Sequence, residues 1–330
     1  MRSAVATDPG RRRRHNEDAY VCEPPLYAIA DGMGGAQAGE VASGLAAAVL
    51  SEGGGSEQGE ERVGSLIQEA NRRVFRRSSE DAAASGMGTT MTVALVDRAS
   101  GTIALGHVGD SRAYRVRGGE LEQLTDDHSL VGELVRSGKL SAEEAEVHPQ
   151  RSVITRAVGT EPEVDVDTFT VEAEPGDLYL LCSDGLTDMV ADREILSVLA
   201  DADDLDRAAR ALVDAANEGG GEDNITLVLF AVDEDDPAGD AVGDTVGDTV
   251  TMPALAEPEE DDEDTLSGLD PVPAVDTAVV PAEAIREHLE RTQPEAAAQP
   301  PRRRRSVVPL AVLVLLLFAL ILLAIWGLYR

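Results

Sequence analysis

Four times in its first 232 residues the chain sets an aspartate at the end of a short apolar run. YAIADGMGG at 27–35 carries Asp31, ALGHVGDSRAY at 104–114 carries Asp110, YLLCSDGLTDMV at 179–190 carries Asp184, and in GGGEDNITLVLF at 219–230 Asp223 precedes the run. Apolar runs of this length read as buried strands. A single Asp-Gly pair after such a strand is an ordinary turn. Four together imply more, because strands of one sheet end side by side, so Asp31, Asp184 and Asp223 are expected to converge on one point. Unpaired carboxylates repel one another, and burial makes the repulsion worse. A hard divalent cation removes that penalty, and an all-oxygen ligand set suits Mg²⁺ or Mn²⁺ rather than zinc. Glycine after the acid, as at Gly32, lets the backbone carbonyl turn toward a cation with no side chain in the way.

The other ligand types point away from zinc and from disulfides. None of the five histidines (His15, His107, His128, His148, His288) has a partner at zinc-like spacing on a helix face. His107 alternates with core residues and reads as structural, and His128 reads as a cap on the helix that follows it. Cys22 and Cys182 both stand in apolar, strand-like contexts and read as buried free thiols. RRRRHNEDAY at 11–20 places Glu17 and Asp18 behind a run of arginines. Arg11–Arg14 has two readings: a solvated basic arm, or a phosphate contact, since guanidinium forks match phosphate oxygens. Arginine, clustered acids and a divalent metal together are the chemistry of phosphoester hydrolysis.

Charge divides the 330-residue chain into three parts. Residues 1–232 carry a net charge of −21, residues 233–300 a net of −18, and the last thirty a net of +5 from five arginines. So acidic a chain is repelled by nucleic acid, and no such partner is expected. The first part alternates strand-like and helix-like stretches and reads as one domain. Strands are expected over 89–97, 101–109, 111–117 and 120–125, with Gly118–Gly119 as a hairpin turn. Helices are expected over 39–50, 65–79, 129–138 and 192–218, the last broken near Asp201–Asp204. Residues 233–301 are rich in Pro and acids and repeat GDTVGDTV at 243–250. That stretch reads as a disordered linker, with a root-mean-square span on the order of 45 Å. Residues 302–306 form a basic juxtamembrane segment. Residues 307–328 carry no charge, and as a helix would span roughly 33 Å, enough for a bilayer core. No apolar signal segment follows Met1. Arg302–Arg305 place the preceding side in the cytoplasm, so the expected location is the cell membrane, single-pass, with the C-terminus outside.

Seven stretches in order, RHNEDA, AIADGMGGAQAGEVAS, GMGTTMTVALV, GHVGDSRAYR, LTDDHSL, LLCSDGLTDMV and GGGEDNITLV, resemble the motifs of bacterial metal-dependent serine/threonine protein phosphatases of type 2C. The resemblance covers about residues 3–232. It implies an α+β fold, an αββα sandwich of two antiparallel sheets flanked by helices, here with a C-terminal transmembrane helix added. It also implies two Mn²⁺ or Mg²⁺ ions, with room for a third. Carried over residue by residue, Asp31 bridges both metals and Gly32 offers its carbonyl to the second. Asp184 and Asp223 hold the first, Glu17 and Asp18 hold the second directly or through water, and Asp110 with Asp184 forms the extra site of bacterial members. Arg13 meets substrate phosphate, which makes Arg13, Asp31 and Asp184 the catalytic set. Residues 126–160 correspond to a mobile flap. Animal members carry a histidine, proposed as general acid, where this chain has Met33, so the resemblance assigns no proton donor here and metal-bound water is the expectation.

The resulting expectation is a membrane-anchored cytoplasmic phosphatase. Water attacks phosphoserine or phosphothreonine directly, with no phosphoenzyme, on proteins modified by bacterial Ser/Thr kinases. Two alternatives stand beside it: a stress-pathway phosphatase acting on an anti-sigma-factor antagonist, and an inactive membrane adaptor.

Overall fold

Side-chain alternation along the strands builds the molecule in layers. The computed structural model describes residues 1–34, 38–52, 58–200, 204–232 and 278–279. One antiparallel sheet runs in the order β1 (Arg2–Asp8), β12 (Ile225–Ala231), β11 (Leu178–Cys182), β7 (Arg112–Arg117), β8 (Glu120–Gln123). The other runs β10 (Asp167–Glu172), β6 (Thr102–Val108), β5 (Met91–Asp97), β3 (Leu26–Met33), β2 (Asp18–Glu23), with the short β4 (Gly88–Thr89) paired to the end of β3.

Period two sends alternate residues to opposite faces. In β3, Tyr27 and Ile29 enter the space between the sheets while Ala28 and Ala30 face the helices. In β11, Tyr179 and Leu181 go inward and Leu180 and Cys182 outward. The inter-sheet core is pinned by Phe230 of β12, stacked on Tyr27 at 4.2 Å between ring centroids and on Tyr179 at 5.1 Å. Each buried ring contributes about 1.5–3 kcal/mol through burial. Helices α1 (Ala38–Glu52) and α2 (Gly59–Glu80) cover one outer face with Ala42, Ala46, Val63, Ile67, Ala70 and Val74. The other face is covered by α5 (Asp184–Thr187), α6 (Asp192–Ala200) and α7 (Leu205–Gly219), through Leu186, Ile195, Leu205, Ala209, Leu212 and Ala216. This is the expected pair of antiparallel sheets flanked by helices. Gly118 and Gly119, both at positive φ (60° and 82°), turn β7 into β8.

Three details differ from the sequence reading. Helix α2 begins six residues before the expected start at 65, because Glu60 and Glu61 in its first turn favour the helix N-terminus. His128 does not cap the next helix: Ser129 does, accepting a hydrogen bond from the Gly132 N–H at 3.1 Å at the start of α3 (Leu130–Arg136). The acids also do not line up along one sheet. Asp31 belongs to the sheet of β3, whereas Asp184 and Asp223 follow β11 and precede β12 in the other. They meet because both sheets present these strand ends at the same end of the sandwich.

Between β8 and β10 the chain leaves the sandwich as α3, α4 (Ala142–Glu146) and β9 (Val153–Ile154), within the segment expected to be the flap. Ala278–Val279 (β13) pairs in parallel with β9, so the reading of 233–301 as wholly without structure does not extend to that pair. The rest of 233–301, the basic segment 302–306 and the apolar segment 307–328 lie outside the described residues. Among the described residues no helix is long and apolar enough to cross a membrane.

Candidate metal-dependent active site

The β2–β3 hairpin supplies the first acids. Its register sets Asp18 directly opposite Asp31, so two carboxylate-bearing residues share one rung at the sheet end. Asp31 is fixed through its backbone. Its N–H donates to Thr90 Oγ1 at 3.0 Å, and its carbonyl accepts from the Thr90 N–H and the Thr89 hydroxyl, each at 2.8 Å. Gly32 follows and is packed so tightly that a Cβ there would collide with the backbone oxygens of Glu17 and Gly39. Only glycine permits this approach. The Glu17 carboxylate lies against Gly39, in the first turn of α1, and the Glu17 carbonyl accepts from Ser43 Oγ at 2.5 Å.

The facing sheet supplies the rest. Asp184 opens α5 directly after β11, and Asp223 precedes β12. The Ser183 hydroxyl joins the two halves, donating to Asp18 Oδ2 at 3.1 Å from the end of β11. Asp110 sits in the turn between β6 and β7 and is buried. Asn224 makes three side-chain contacts to the N-terminal arm. Its Oδ1 accepts from the Glu17 N–H at 2.9 Å, and its Nδ2 donates to the carbonyls of His15 (2.9 Å) and Pro9 (3.1 Å). That arm carries Arg13, whose guanidinium donates to Asp223 Oδ2 at 2.8 Å. Arg12 reaches Glu222 at 3.5 Å, and the neighbouring arginines Arg11 and Arg14 are exposed.

Electrostatics mark this end of the sandwich. Burial, followed by repulsion from Asp18, Asp184, Asp223 and Asp110, holds the Asp31 carboxyl well above the usual range. Asp184 is raised in the same way by burial and by Asp110, Asp188, Asp223 and Asp18. Burial pushes Asp18 up to about 6, and burial with Asp127 and Asp188 pushes Asp110 up to about 7. Glu17 is raised chiefly by burial. The Oδ1 atoms of Asp18, Asp110 and Asp184 are buried with no hydrogen-bond partner. A buried carboxylate oxygen without a partner is costly, and three at one place are an unmet demand for positive charge. Among the described residues no three His, Cys, Asp or Glu side chains already stand as a closed coordination set. The orphaned oxygens and their mutual repulsion are what fit this end to hard divalent cations.

Other side chains here escaped the sequence reading. Asp188 lies one turn beyond Asp184 and adds to the repulsion on Asp110 and Asp184; two acids four apart after a strand were the available signal. Arg151 of the flap reaches Asp188 at 3.4 Å and Glu222 at 3.7 Å. Met33 packs with Ile154 and Ala157 in a small apolar cluster, so that position holds the flap base and carries no proton. Both cysteines are free. Burial pushes the Cys182 thiol up to about 12 and raises Cys22, so neither is a ready thiolate.

Known proteins resemble this chain in sequence and in fold. The profile of the Protein phosphatase 2C family matches residues 11–224. The "Serine/threonine phosphatase stp" of Listeria monocytogenes is 41% identical over 245 residues, covering 71% of this chain and 96% of that protein. The "Serine/threonine protein phosphatase PstP" of Mycobacterium tuberculosis is 38% identical over 302 residues, which is 90% of this chain and 55% of that protein. The crystal structure of the Mycobacterium tuberculosis phosphatase PstP/Ppp superposes with a TM-score of 0.67 at 39% identity, covering 70% of this chain and 98% of that one. A structure of the PstP catalytic domain in complex with two manganese ions superposes with a TM-score of 0.64 at 38% identity, covering 70% and 98%. The chain belongs to the protein phosphatase 2C family and is a serine/threonine phosphatase.

Proposed function

We propose that the chain hydrolyses phosphoserine and phosphothreonine by direct attack of water at a binuclear Mn²⁺ or Mg²⁺ centre, opposing bacterial Ser/Thr kinases from the cytoplasmic face of the membrane. The observation that carries this reading is the set of buried, unpartnered oxygens of Asp18, Asp110 and Asp184 around the strongly raised Asp31. Asp31 and the Gly32 carbonyl, with Asp184 and Asp223 on one side and Glu17 and Asp18 on the other, would hold the pair of cations. Asp110 with Asp184 would hold a third. When bound, the cations supply the Lewis acidity that polarises phosphoryl oxygens and lowers the pKa of water.

The remaining work falls to side chains. Thr89 and Thr90 hold the backbone of Asp31 at both its N–H and its carbonyl, so the strand end that carries its carboxylate is set before substrate arrives. Arg13 is the fork for phosphate oxygens, resting on Asp223 at 2.8 Å and exchanging that carboxylate for the phosphate. Asn224 fixes the arm that carries it. Cys182 and His128 are poor candidates for a phosphoenzyme nucleophile, since both are buried and His128 is hydrogen-bonded at both ring nitrogens.

The anchor follows from the uncharged run 307–328 behind Arg302–Arg305, and the acidic segment before it holds the domain near anionic lipid but not against it. One comparison tests both parts. Full-length protein in detergent and a chain ending at residue 240 are assayed on phosphoserine and phosphothreonine peptides, with Mn²⁺ and with chelator. Equal, strictly cation-dependent turnover is expected, with only the full chain partitioning into vesicles. Turnover in chelator would remove the cation mechanism, and a soluble full-length chain would remove the anchor.

A further inference from the structure

His128 lies at the root of the flap and has no part in the roles assigned so far. It is 1% exposed, and every polar atom it owns is engaged. Its backbone N–H donates to the Gly109 carbonyl at 2.7 Å, and its own carbonyl accepts from the Thr155 N–H at 2.8 Å. Its Nδ1 lies 3.0 Å from the Gly109 backbone nitrogen, and its Nε2 lies 3.1 Å from Asp167 Oδ2. A backbone N–H can only donate, so Nδ1 is the acceptor, and the ring proton sits on Nε2, pointing at Asp167. Burial pushes the ring down to about 3, which keeps it neutral.

These contacts join two structures. On one side is Gly109, the residue before Asp110. Its φ of +113° is a conformation left to glycine, and a Cβ there would collide with Thr90. The Asp110 turn therefore has one backbone shape, and His128 grips it at both the N–H and the carbonyl of Gly109. On the other side is the returning limb of the flap. Ser129 bridges Ile154, Thr155 binds the His128 carbonyl, and Arg156 donates to Asp167 Oδ1 at 2.6 Å. The outgoing and returning limbs are thus tied through His128 to the turn that presents Asp110, whose Oδ1 is buried and unpartnered.

We propose that His128 is a positioning residue that locks the Gly109–Asp110 turn to the root of the flap, so that cation binding at Asp110 and the ordering of residues 129–156 are coupled. The proposal rests on the reading of Asp110 as a cation ligand. Groups that orient a metal-bearing loop typically change affinity by about ten- to a hundredfold when removed, without touching the metal.

The test uses the full chain, with Mn²⁺ as the probe, and two readouts besides turnover: calorimetric Mn²⁺ titration, and hydrogen exchange of the amides in 129–156 with and without Mn²⁺. Asp110→Asn should abolish the weakest class of Mn²⁺ sites. If it does not, the reading of Asp110 is wrong and the coupling falls with it. His128→Gln retains a donor for Asp167 but no acceptor for Gly109. It should weaken that same class about tenfold or more, leave the tight class unchanged, and abolish the Mn²⁺-dependent protection of the flap. His128→Asn, which keeps an acceptor near the Nδ1 position but loses the donor to Asp167, should recover affinity and flap protection together, and only in part. Should the position 128 variants fail to fold, Asp167→Ala cuts the link at β10, and because coupling is reciprocal it is expected to weaken the same class of Mn²⁺ sites as well as abolish flap protection. Unchanged weak-site affinity in His128→Gln, or Mn²⁺-dependent flap protection persisting in His128→Gln or in Asp167→Ala, overturns the proposal.

Discussion

Two groups of buried polar side chains lie near one end of this sandwich, and they are treated in opposite ways. The histidine pair, His107 and His128, packs ring to ring at 4.6 Å, and every ring nitrogen has a protein partner. His107 reaches Thr92 Oγ1 at 2.9 Å and the Asp126 carbonyl at 3.1 Å, and His128 reaches Gly109 and Asp167. The carboxylate group formed by Asp18, Asp31, Asp110 and Asp184 instead keeps three buried oxygens without partners. Buried polar groups that serve the fold are satisfied within it. Groups left unsatisfied and mutually repelling are a strain the fold carries elsewhere, here by two aromatic-pinned sheets. The histidines keep ordinary neutral chemistry, and the acids are held ready for a ligand of opposite charge.

The contrast breaks most sharply at Asp184. Asp184→Asn should lower kcat/KM on phosphopeptides by at least about a thousandfold, since a catalytic cation contributes several kcal/mol. The chelated variant should unfold at the same or a higher temperature than the chelated parent, because a repelling charge has gone. A large loss of stability would place Asp184 with the structural polar groups. Arg13→Ala comes next. Charged hydrogen bonds to phosphate are worth about 1.5–3 kcal/mol, so kcat/KM should fall about ten- to a hundredfold, while Mn²⁺ affinity changes far less. Unchanged kinetics would make Arg11–Arg14 a solvated arm.

His107→Leu tests the other side of the comparison. It strands the Asp126 carbonyl and leaves the Thr92 hydroxyl only the Ser111 carbonyl at 3.1 Å, and should cost about 1–3 kcal/mol in urea unfolding, with turnover per folded molecule retained. The smallest effect is in pH. Asp18 and Asp110 titrate near 6 and 7 in the fold, above the ordinary 3.8 of an aspartate. The folded state then binds more protons than the unfolded one between about pH 4 and 7, so unfolding free energy falls as pH rises through that window. Chelated protein should therefore melt at a higher temperature at pH 5 than at pH 8, and Mn²⁺ should flatten the slope. A chelated protein that is more stable at pH 8 than at pH 5 would mean these acids are already neutralised by the protein.

Local pattern carried much of this into the sequence. Alternation in MTVALVD and TIALGHV marks β5 and β6, and the paired glycines at 118–119 mark a hairpin that the structure contains. The strand-end acids announce a cluster. The sequence could not reveal which sheet each acid belongs to, because adjacency across a sandwich leaves no local period. Convergence was read along one sheet, whereas it occurs between two. The edge strand β10, DTFTVE, was missed because it is only half-buried and Thr-rich, so its alternation is weak. His128 looked like a cap because it precedes a helix, and its grip on Gly109 spans nineteen residues. Asn224 sits beside a suspected ligand, but its contacts to Pro9, His15 and Glu17 exist only once the two ends of the domain meet.

Crystals of the protein soaked in Mn²⁺ and measured for anomalous scattering address the central claim most directly. The account predicts strong peaks between the two sheets, one within reach of Asp31, Asp184 and Asp223, and one within reach of Asp31, the Gly32 carbonyl, Glu17 and Asp18. Arg13 should be released from Asp223. Anomalous density only at surface acids, with Arg13 still on Asp223 in protein that hydrolyses phosphopeptides, would contradict it.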